Sequence, residues 1–238
     1  MALSVPYGVI GSTGRMGREI AAAAGGTPCL CVWDEGETCA ASPRVIFDFS
    51  SAVVLPRTVE LCRRHKSALV MGTTALNEGH MAALRALAEE VPVVQSFNYS
   101  IGIAVMAMIL REFAPLLADW DAEIAEAHHI HKKDAPSGTA LMLLDAVKSA
   151  YPDEREAVFG RHGRDCKRQH QEIGMHSLRG GTVTGEHEVC FFGTGERIRI
   201  SHSAENRGVF AAGALRAAAF LMNQQPGMYS MDDVVGQL

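Results

Sequence analysis

The stretch of this sequence that is richest in reactive side chains covers residues 126–140. It contains three histidines and two lysines just before a Pro-Ser-Gly-Thr segment. Ser137, Gly138 and Thr139 are predicted to begin a helix, and the N–H groups of a first helical turn form an anion site because they have no intrahelical partner. Lys132 adds positive charge, and a histidine can move protons near neutral pH. The pattern therefore predicts a site for a small dicarboxylate with an acid or base beside it.

Two other interpretations of residues 126–140 stay open. His129 and His131 would lie on one face of a strand and could bind a metal ion, but no further ligand at a suitable spacing is evident. The neighbouring lysines would also repel a cation, so we predict no metal. The basic residues could instead be an ordinary solvated surface, with Ser137 only capping a helix. A dinucleotide bound elsewhere on the chain would argue against that interpretation, because such a cofactor requires a substrate site.

A glycine-rich turn near the N-terminus predicts dinucleotide binding. Residues 11–17 read G-S-T-G-R-M-G and lie between a predicted strand and a predicted helix. Glycines there let backbone N–H groups approach a pyrophosphate at the helix N-terminus. The spacing departs from the usual G-x-G-x-x-G, so a companion residue matters. Asp34, just past the second strand, can accept hydrogen bonds from an adenosine ribose, although it could be a turn residue and Glu35 is a rival for the role.

The choice between NADH and NADPH stays open from the sequence. A carboxylate at Asp34 would favour NADH, because it repels the 2′-phosphate of NADPH. Arg15 and Arg18 lie close enough in sequence to weaken that preference.

Two further segments follow the fourth and fifth predicted strands. In an open α/β sheet, ligands bind outside the carboxyl ends of the strands. Residues 72–74 and 96–100 are therefore placed to line the nicotinamide end of a bound cofactor. Thr74 or Asn77 could instead cap a helix, and Asn98 could be a turn residue.

The hydrophobic pattern of the first half predicts the sheet that positions these segments. Short apolar runs alternate with helical segments, which indicates parallel strands buried on both faces. The predicted strands are residues 6–10, 29–33, 44–49, 68–71 and 91–95, and the predicted helices are residues 14–24, 53–65 and 77–90.

The second half predicts an α+β domain before a last helix that returns to the first domain. Gly193-Thr194-Gly195 indicates a hairpin, and residues 153–171, rich in Arg and His, are interpreted as a mobile surface loop. The predicted helices are residues 102–117, 138–150 and 209–222, and the predicted strands are residues 121–129, 182–192 and 197–202. The fold class is therefore α/β, with a Rossmann-like parallel-sheet domain (1–100 and 206–238) that binds the dinucleotide and an α+β domain (101–205) for substrate binding and oligomerisation.

The composition excludes several classes of protein. The net charge of -5 argues against a general attraction to nucleic acid or to anionic membranes. The six cysteines form no CxxC pair and are expected to be reduced. No signal peptide is indicated, and no apolar run approaches the ~20 residues of a membrane span. We expect a cytoplasmic protein.

Taken together, the motifs resemble the 4-hydroxy-tetrahydrodipicolinate reductase (dihydrodipicolinate reductase) family in its short form. The glycine turn and residues 48–50, 72–74 and 98–100 occur in the same order as in that family. The central motif, E-x-H-H-x-x-K-x-D-x-P-S-G-T-A, is matched by Glu126, His128, His129, Lys132, Asp134, Pro136, Ser137, Gly138, Thr139 and Ala140.

The resemblance implies an NADH- or NADPH-dependent reduction of a cyclic dicarboxylate to tetrahydrodipicolinate, in diaminopimelate and lysine biosynthesis. It implies that His128 is the acid/base residue and Lys132 the proton donor. It also implies that His129 contacts the substrate and that Gly138 and Thr139 hold a substrate carboxylate. The cofactor-binding residues it implies are Gly11, Ser12, Thr13, Gly14, Arg15, Met16, Asp34, Gly72, Thr73, Thr74, Ser96, Phe97, Asn98 and Tyr99. Family members are typically homotetramers, so residues 182–192 and 197–202 are the expected interface.

Two alternatives to this function stay open. Another small two-domain dehydrogenase of amino-acid metabolism, such as an aspartate-type dehydrogenase, would share the glycine turn but would not need the whole of residues 126–140. A non-catalytic dinucleotide-sensing protein would keep the turn and tolerate loss of His128 and Lys132, both of which are present.

Overall fold

The computed structural model of the protein describes residues 3–33 and 36–237. The described residues up to Ile101 and from Arg207 onward form one compact unit, and Gly102–Asn206 form a second. The chain thus leaves the first unit once and returns to it for its last helices.

The first unit is built around a seven-stranded sheet in the order β12-β6-β5-β4-β1-β2-β3. All its pairings are parallel except that of β2 with β3. Its strands are β1 (Tyr7–Ile10), β2 (Leu30–Trp33), β3 (Gly36–Cys39), β4 (Val45–Asp48), β5 (Ala68–Met71), β6 (Pro92–Gln95) and β12 (Gly227–Tyr229). Its helices are α1 (Arg15–Ala24), α2 (Leu55–His65), α3 (Glu78–Ala88), α6 (Gly208–Leu221) and α7 (Met231–Val235), with a short 3-10 turn at Ala52–Val54.

The central strands of this sheet are continuous apolar runs because helices cover both of their faces. Every residue of β1, β4 and β5 is buried. Helix α1 packs against α6, and α2 packs against α3. This arrangement brings the carboxyl ends of β1, β2, β4, β5 and β6 to one edge, where the candidate cofactor residues follow.

The second unit has a five-stranded sheet in the order β11-β10-β7-β9-β8. Strand β7 pairs antiparallel with β10 and parallel with β9. The strands are β7 (Asp121–His128), β8 (Glu156–Phe159), β9 (Glu172–Arg179), β10 (Glu186–Phe192) and β11 (Arg197–Ser203). The helices are α4 (Ile101–Phe113) and α5 (Gly138–Lys148), with a 3-10 turn at Ala114–Leu117.

Both helices of the second unit cover one face of its sheet. Apolar residues of α4 and α5, among them Leu110 and Leu143, form one core with Ile124, Met175 and Phe191 from the strands. The predicted hairpin is confirmed by β10 and β11, which pair antiparallel.

One interpretation of the second unit is wrong. Residues 153–171 are not a mobile loop throughout, because β8 lies within them and pairs with β9. The rest of the segment is held by side chains: Arg161 pairs with Glu172 at 2.7 Å, and Arg168 pairs with Glu123 at 3.2 Å. These contacts join residues that are distant in sequence, so the local sequence of the segment contains no pattern that indicates them.

Among the described residues, no helix combines the length and apolar character needed to cross a membrane.

Candidate functional site

Strand β7 directs two polar side chains toward the helix-covered face of its sheet. Its residues alternate strictly in burial, with Ala122, Ile124, Glu126 and His128 buried. The first two belong to the apolar core. The last two place a carboxylate and an imidazole where the strand approaches the start of α5.

The start of α5 carries the predicted anion site. Ser137 is the N-cap, and its Oγ accepts a hydrogen bond of 3.2 Å from the N–H of Ala140. The same Oγ lies 3.2 Å from Nε2 of His187 on β10. Gly138 and Thr139 form the first turn that follows. Because a side chain added at Gly138 would meet nothing within 4 Å, a ligand has room to approach the backbone there.

A single buried carboxylate joins the end of β7 to the start of α5. Oε2 of Glu126 accepts hydrogen bonds from Nδ1 of His128 at 2.6 Å and from Nη1 of Arg179 at 2.8 Å. Oε1 accepts from Nη2 of Arg179 at 2.8 Å and from the N–H of Ser137 at 3.2 Å. Both oxygens are therefore used twice, as a buried charge requires.

These contacts determine the charge states within the site. Burial alone would raise the pKa of Glu126, but hydrogen bonds from Arg179 and His128 lower it to about 2. Burial lowers the pKa of His128, and the charges of Lys132 and Arg179 lower it further against the opposing effect of Glu126. At neutral pH the site therefore holds an ionised glutamate beside a neutral histidine.

His187 is a second buried histidine in contact with the first. The rings of His128 and His187 meet edge to face, with centroids 5.2 Å apart. Burial, and after it the charge that His128 carries when protonated, lower the pKa of His187 to about 4. His187 is thus neutral near pH 7, and its Nε2 can accept a hydrogen bond from the hydroxyl of Ser137.

Lys132 and His129 lie on the loop between β7 and α5. Nζ of Lys132 is 2.9 Å from Oδ2 of Asp134, and its side chain is about one-fifth exposed. His129 is half-buried, and its ring centroid is 6.2 Å from that of exposed His131. Within residues 3–33 and 36–237, no group of three or more His, Cys, Asp or Glu side chains is arranged to hold a metal ion.

The glycine turn after β1 has the geometry that close approach to a phosphate requires. Gly11 has a φ of +79°, which favours glycine, and its carbonyl accepts a hydrogen bond from the N–H of Gly14. A Cβ at Gly17 would lie 2.3 Å from the carbonyl oxygen of Gly11. Ser12, Thr13, Arg15 and Met16 complete the turn and the first residues of α1, and Thr13 and Arg15 are exposed. The turn therefore fits a dinucleotide pyrophosphate at the N-terminus of α1.

A cavity of about 320 Å³ lies beside this turn, at the carboxyl ends of β1 and β2. Arg57 on α2 lines this cavity, and its Nη2 pairs with Oε2 of Glu37 on β3 at 2.6 Å. The predicted ribose ligand Asp34 and its rival Glu35 lie outside the described residues. The cavity is lined by Ile10, Gly11, Val32, Trp33, Ser50, Val53, Val54 and Arg57.

The residues predicted after β5 serve partly to hold the sheet edge together. Thr73 is buried; its hydroxyl donates to Oδ1 of Asp48 at 2.8 Å and accepts from the N–H of Ser50 at 2.9 Å. Gly72 is half-buried and Thr74 is exposed. Of this segment, the Thr73 side chain is therefore already engaged within the unit.

Of the residues predicted after β6, some side chains are likewise hydrogen-bonded within the unit and others are exposed. The hydroxyl of Tyr99 is buried and donates toward the carbonyl oxygens of Met71, at 2.8 Å, and Val94, at 3.1 Å. Ser96 Oγ donates to the carbonyl of Asn98 at 2.7 Å and so shapes the turn. Phe97 is 51% exposed. Phe97 and the backbone of this turn, rather than the Tyr99 ring, face outward.

Sequence reasoning assigned no role to three residues that organise the second unit's site. Glu126 matches the central motif but has no role in the sequence-based prediction, although its position two residues before His128 on a predicted strand puts both side chains on one face. Arg179 and His187 come from β9 and β10, and their pairing with β7 gives no local signal. Residues Gly11–Met16, 72–74 and 96–99 do gather at one edge of the first unit's sheet.

Comparison with known proteins identifies the family. Residues 28–99 match the family described as "Dihydrodipicolinate reductase, N-terminus", and residues 102–235 match "Dihydrodipicolinate reductase, C-terminus". The chain belongs to the dihydrodipicolinate reductase family. The resemblance read from the sequence is thereby confirmed.

Relatives within this family match the chain from end to end. A protein named 4-hydroxy-tetrahydrodipicolinate reductase from Thermosipho africanus is 40% identical over 233 residues, which are 96% of this chain and 97% of that protein. A protein of the same name from Zymomonas mobilis is 40% identical over 98% of each chain.

A solved reductase structure confirms the predicted fold class. Dipicolinate-bound dihydrodipicolinate reductase from Paenisporosarcina sp. TG-14 superposes with a TM-score of 0.74, covering 97% of this chain and 98% of that one. The sequence identity is 19%, so this likeness concerns the fold alone.

Proposed function

We propose that this member of the dihydrodipicolinate reductase family is a 4-hydroxy-tetrahydrodipicolinate reductase. It uses NAD(P)H to reduce the cyclic dicarboxylate to tetrahydrodipicolinate, in diaminopimelate and lysine biosynthesis. The observation that carries the proposal is the convergence of His128 and the start of α5 on the Glu126 carboxylate, with both oxygens at hydrogen-bonding distance. An acid/base group and a carboxylate-binding helix start are thereby fixed side by side.

The substrate's carboxylates are bound by the basic end of the second unit. The first turn of α5, at Gly138 and Thr139, supplies backbone N–H groups and the Thr139 hydroxyl to one carboxylate. His129 adds a further contact. Lys132, whose charge is partly offset by Asp134 at 2.9 Å, attracts the dianion and is exposed enough to reach it.

Protons are handled by His128 and Lys132. Reduction of the 4-hydroxylated ring to tetrahydrodipicolinate requires one hydride and one proton and releases the hydroxyl group as water; Lys132 donates the proton. His128, neutral at neutral pH, exchanges a proton through Nε2 because its Nδ1–H is held by Glu126.

The first unit holds the cofactor. The turn from Gly11 to Met16 receives the pyrophosphate, and the cavity beside Trp33 receives the adenosine. Residues 72–74 and 96–99 line the nicotinamide end. When bound, NAD(P)H supplies the hydride. Asp34 favours NADH, whereas Arg15, Arg18 and Arg57 supply positive charge that would suit NADPH, so either nucleotide is admitted.

The assembly is proposed to be a cytoplasmic homotetramer formed through the sheet of the second unit. The sheet face opposite α4 and α5 carries Leu178 and Phe192, which are 57% and 40% exposed. Exposed apolar side chains on an open sheet face favour burial against another copy of the chain. Nucleic acid and membranes are not expected partners.

The test is oxidation of NADH or NADPH by the purified protein, followed by absorbance. Substrate is generated in place from pyruvate and aspartate semialdehyde by a coupled synthase. We expect rapid turnover in the native chain, and a loss of about 10²- to 10⁴-fold in kcat for His128→Ala and Lys132→Ala, the range for a positioned acid or base. Tight binding of nucleotide without turnover would exclude this substrate and favour another amino-acid dehydrogenase.

A further inference from the structure

Arg179 enters the site from the strand next to β7. It is the last residue of β9 and stands opposite His128 in the parallel register. Its guanidinium meets the Glu126 carboxylate with two parallel hydrogen bonds of 2.8 Å. Such a two-point pair fixes the angle of the carboxylate as well as its distance.

The same guanidinium also holds the loop that carries the proposed proton donor. Nη2 of Arg179 donates to the carbonyl oxygen of Asp134. The side chain of Asp134 in turn pairs with Lys132. Arg179 is therefore linked through one residue to each group proposed to handle a proton: through Glu126 to His128 and through Asp134 to Lys132.

We propose that Arg179 and Glu126 are positioning residues for the proposed reduction. They hold His128 in the tautomer with hydrogen on Nδ1, leave Nε2 for proton exchange, and keep the start of α5 in register with that ring. This inference rests on the proposed function, which assigns the chemistry to His128.

The charge of Glu126 fixes the tautomer. The carboxylate, with its pKa held at about 2, is ionised and can only accept hydrogen bonds. Nδ1 of His128, 2.6 Å away, must then be the donor. In the neutral ring, Nε2 is left unprotonated.

Room at Nε2 is provided by a glycine. A Cβ built at Gly185, just before β10, would lie 3.1 Å from Nε2 of His128. Any side chain there would occupy the space beside the nitrogen. The surroundings of the His128 ring therefore hold Nδ1 in a hydrogen bond and leave Nε2 accessible.

Replacing Glu126 and replacing Arg179 should shift the pKa of His128 in opposite directions. The charged or titratable groups around His128 are Glu126 on its own strand, Lys132 on the following loop, Arg179 on β9 and His187 on β10. Loss of the Glu126 charge removes the effect that raises the pKa of His128. Loss of Arg179 leaves an uncompensated carboxylate and removes an effect that lowers it.

The experiment compares Glu126→Gln, Arg179→Gln and Arg179→Lys, with Arg63→Gln as the matched control. Arg63 is exposed on α2, pairs with Glu90 at 2.8 Å, and lies outside the residues proposed for the site and for the interface. Two quantities are measured: kcat and KM as functions of pH, and the ring ¹⁵N shifts of His128 in the free protein. The ring shifts report tautomer and titration without any need for turnover.

We expect Nδ1–H in the native ring. The His128 titration should move to lower pH in Glu126→Gln and to higher pH in Arg179→Gln, with kcat reduced about 10- to 100-fold in both. Arg179→Lys should keep the native titration and recover part of kcat, and Arg63→Gln should match the native chain. Thermal unfolding identifies a variant that fails to fold. If Arg179→Gln does so, Glu126→Gln and Arg179→Lys decide the matter.

A His128 titration that moves in the same direction in Glu126→Gln and Arg179→Gln, or that does not move to lower pH in Glu126→Gln, would overturn the positioning role even if the native enzyme turns over normally. A native chain without turnover that nevertheless shows the opposite shifts would instead refute the proposed function and leave only the control of the His128 tautomer and pKa by this pair.

Discussion

Replacing Gly185 with alanine tests whether Nε2 of His128 is the working nitrogen. The added Cβ would lie 3.1 Å from Nε2 and 3.5 Å from Cδ2. Carbon contacts are comfortable at about 3.5–4.0 Å, so the ring or the methyl must move by about half an ångström. The ring is restrained by the 2.6 Å bond from Nδ1 to Glu126, and that carboxylate is held twice by Arg179.

The expected result is a selective loss of turnover. Because a misplacement of about 1 Å can cost about 10²-fold, half that distance should lower kcat about tenfold. Nucleotide affinity should not change. Gly185 lies outside the positive-φ residues, so alanine should not destabilise the backbone, and unfolding in urea should show a difference of about 1 kcal/mol or less.

The matched control is Gly180→Ala, also on the β9–β10 connection. A Cβ there meets nothing within 4 Å, and native turnover is expected. Native kcat in Gly185→Ala, with a correctly folded protein, would refute the reasoning that proton exchange occurs at Nε2.

Three further predictions concern pH, cofactor choice and the segment after β8. Burial lowers the pKa of His187 to about 4, below its unfolded value of about 6.5, so the unfolded state binds the proton more tightly. The contribution of neutral His187 to the free energy of unfolding should therefore be fully present above pH ~6.5 and fall by up to about 3 kcal/mol as the pH drops to ~4. In His187→Phe, the free energy of unfolding in urea should depend less on pH over this range. An unchanged dependence on pH would contradict the lowered pKa of His187. Glu37→Gln releases Arg57 from its 2.6 Å pair. In binding titrations, the affinity for 2′,5′-ADP and NADPH should rise several-fold relative to the affinity for NADH. Equal changes in the affinities for NADPH and NADH would exclude a contact between Arg57 and the 2′-phosphate. Arg168→Gln should speed tryptic cleavage of the segment that this residue anchors, and native cleavage rates would show that the anchor is dispensable.

Much of the fold follows from local sequence patterns. Buried strands and the helices between them were predicted to within a few residues in the first unit, since continuous apolar runs and alternating burial are local properties. The glycine turn and the start of α5 were located for the same reason. Strands β3 and β12 are short, and their pairing partners rather than their composition define them.

What the sequence did not reveal depends on partners far along the chain. Glu126 and Arg179 are separated by 53 positions, and only the pairing of β7 with β9 brings them together. Arg168 meets Asp121 across 47 positions, so residues 153–171 were interpreted as a loop. Charged residues of this segment form ion pairs with residues far away in the sequence, and the pattern of one segment does not indicate such pairs.

The return of the chain to its first unit has a consequence for synthesis. Strand β12, Gly227–Tyr229, pairs with β6 and completes the edge of the first sheet, and α6 packs against α1. On the ribosome, the first hundred residues emerge long before either partner exists. Until residues 208–229 are made, β6 is an open edge and α1 lacks its neighbour. The first unit can therefore be completed only after the second unit has been made, although most of the first unit is made earlier.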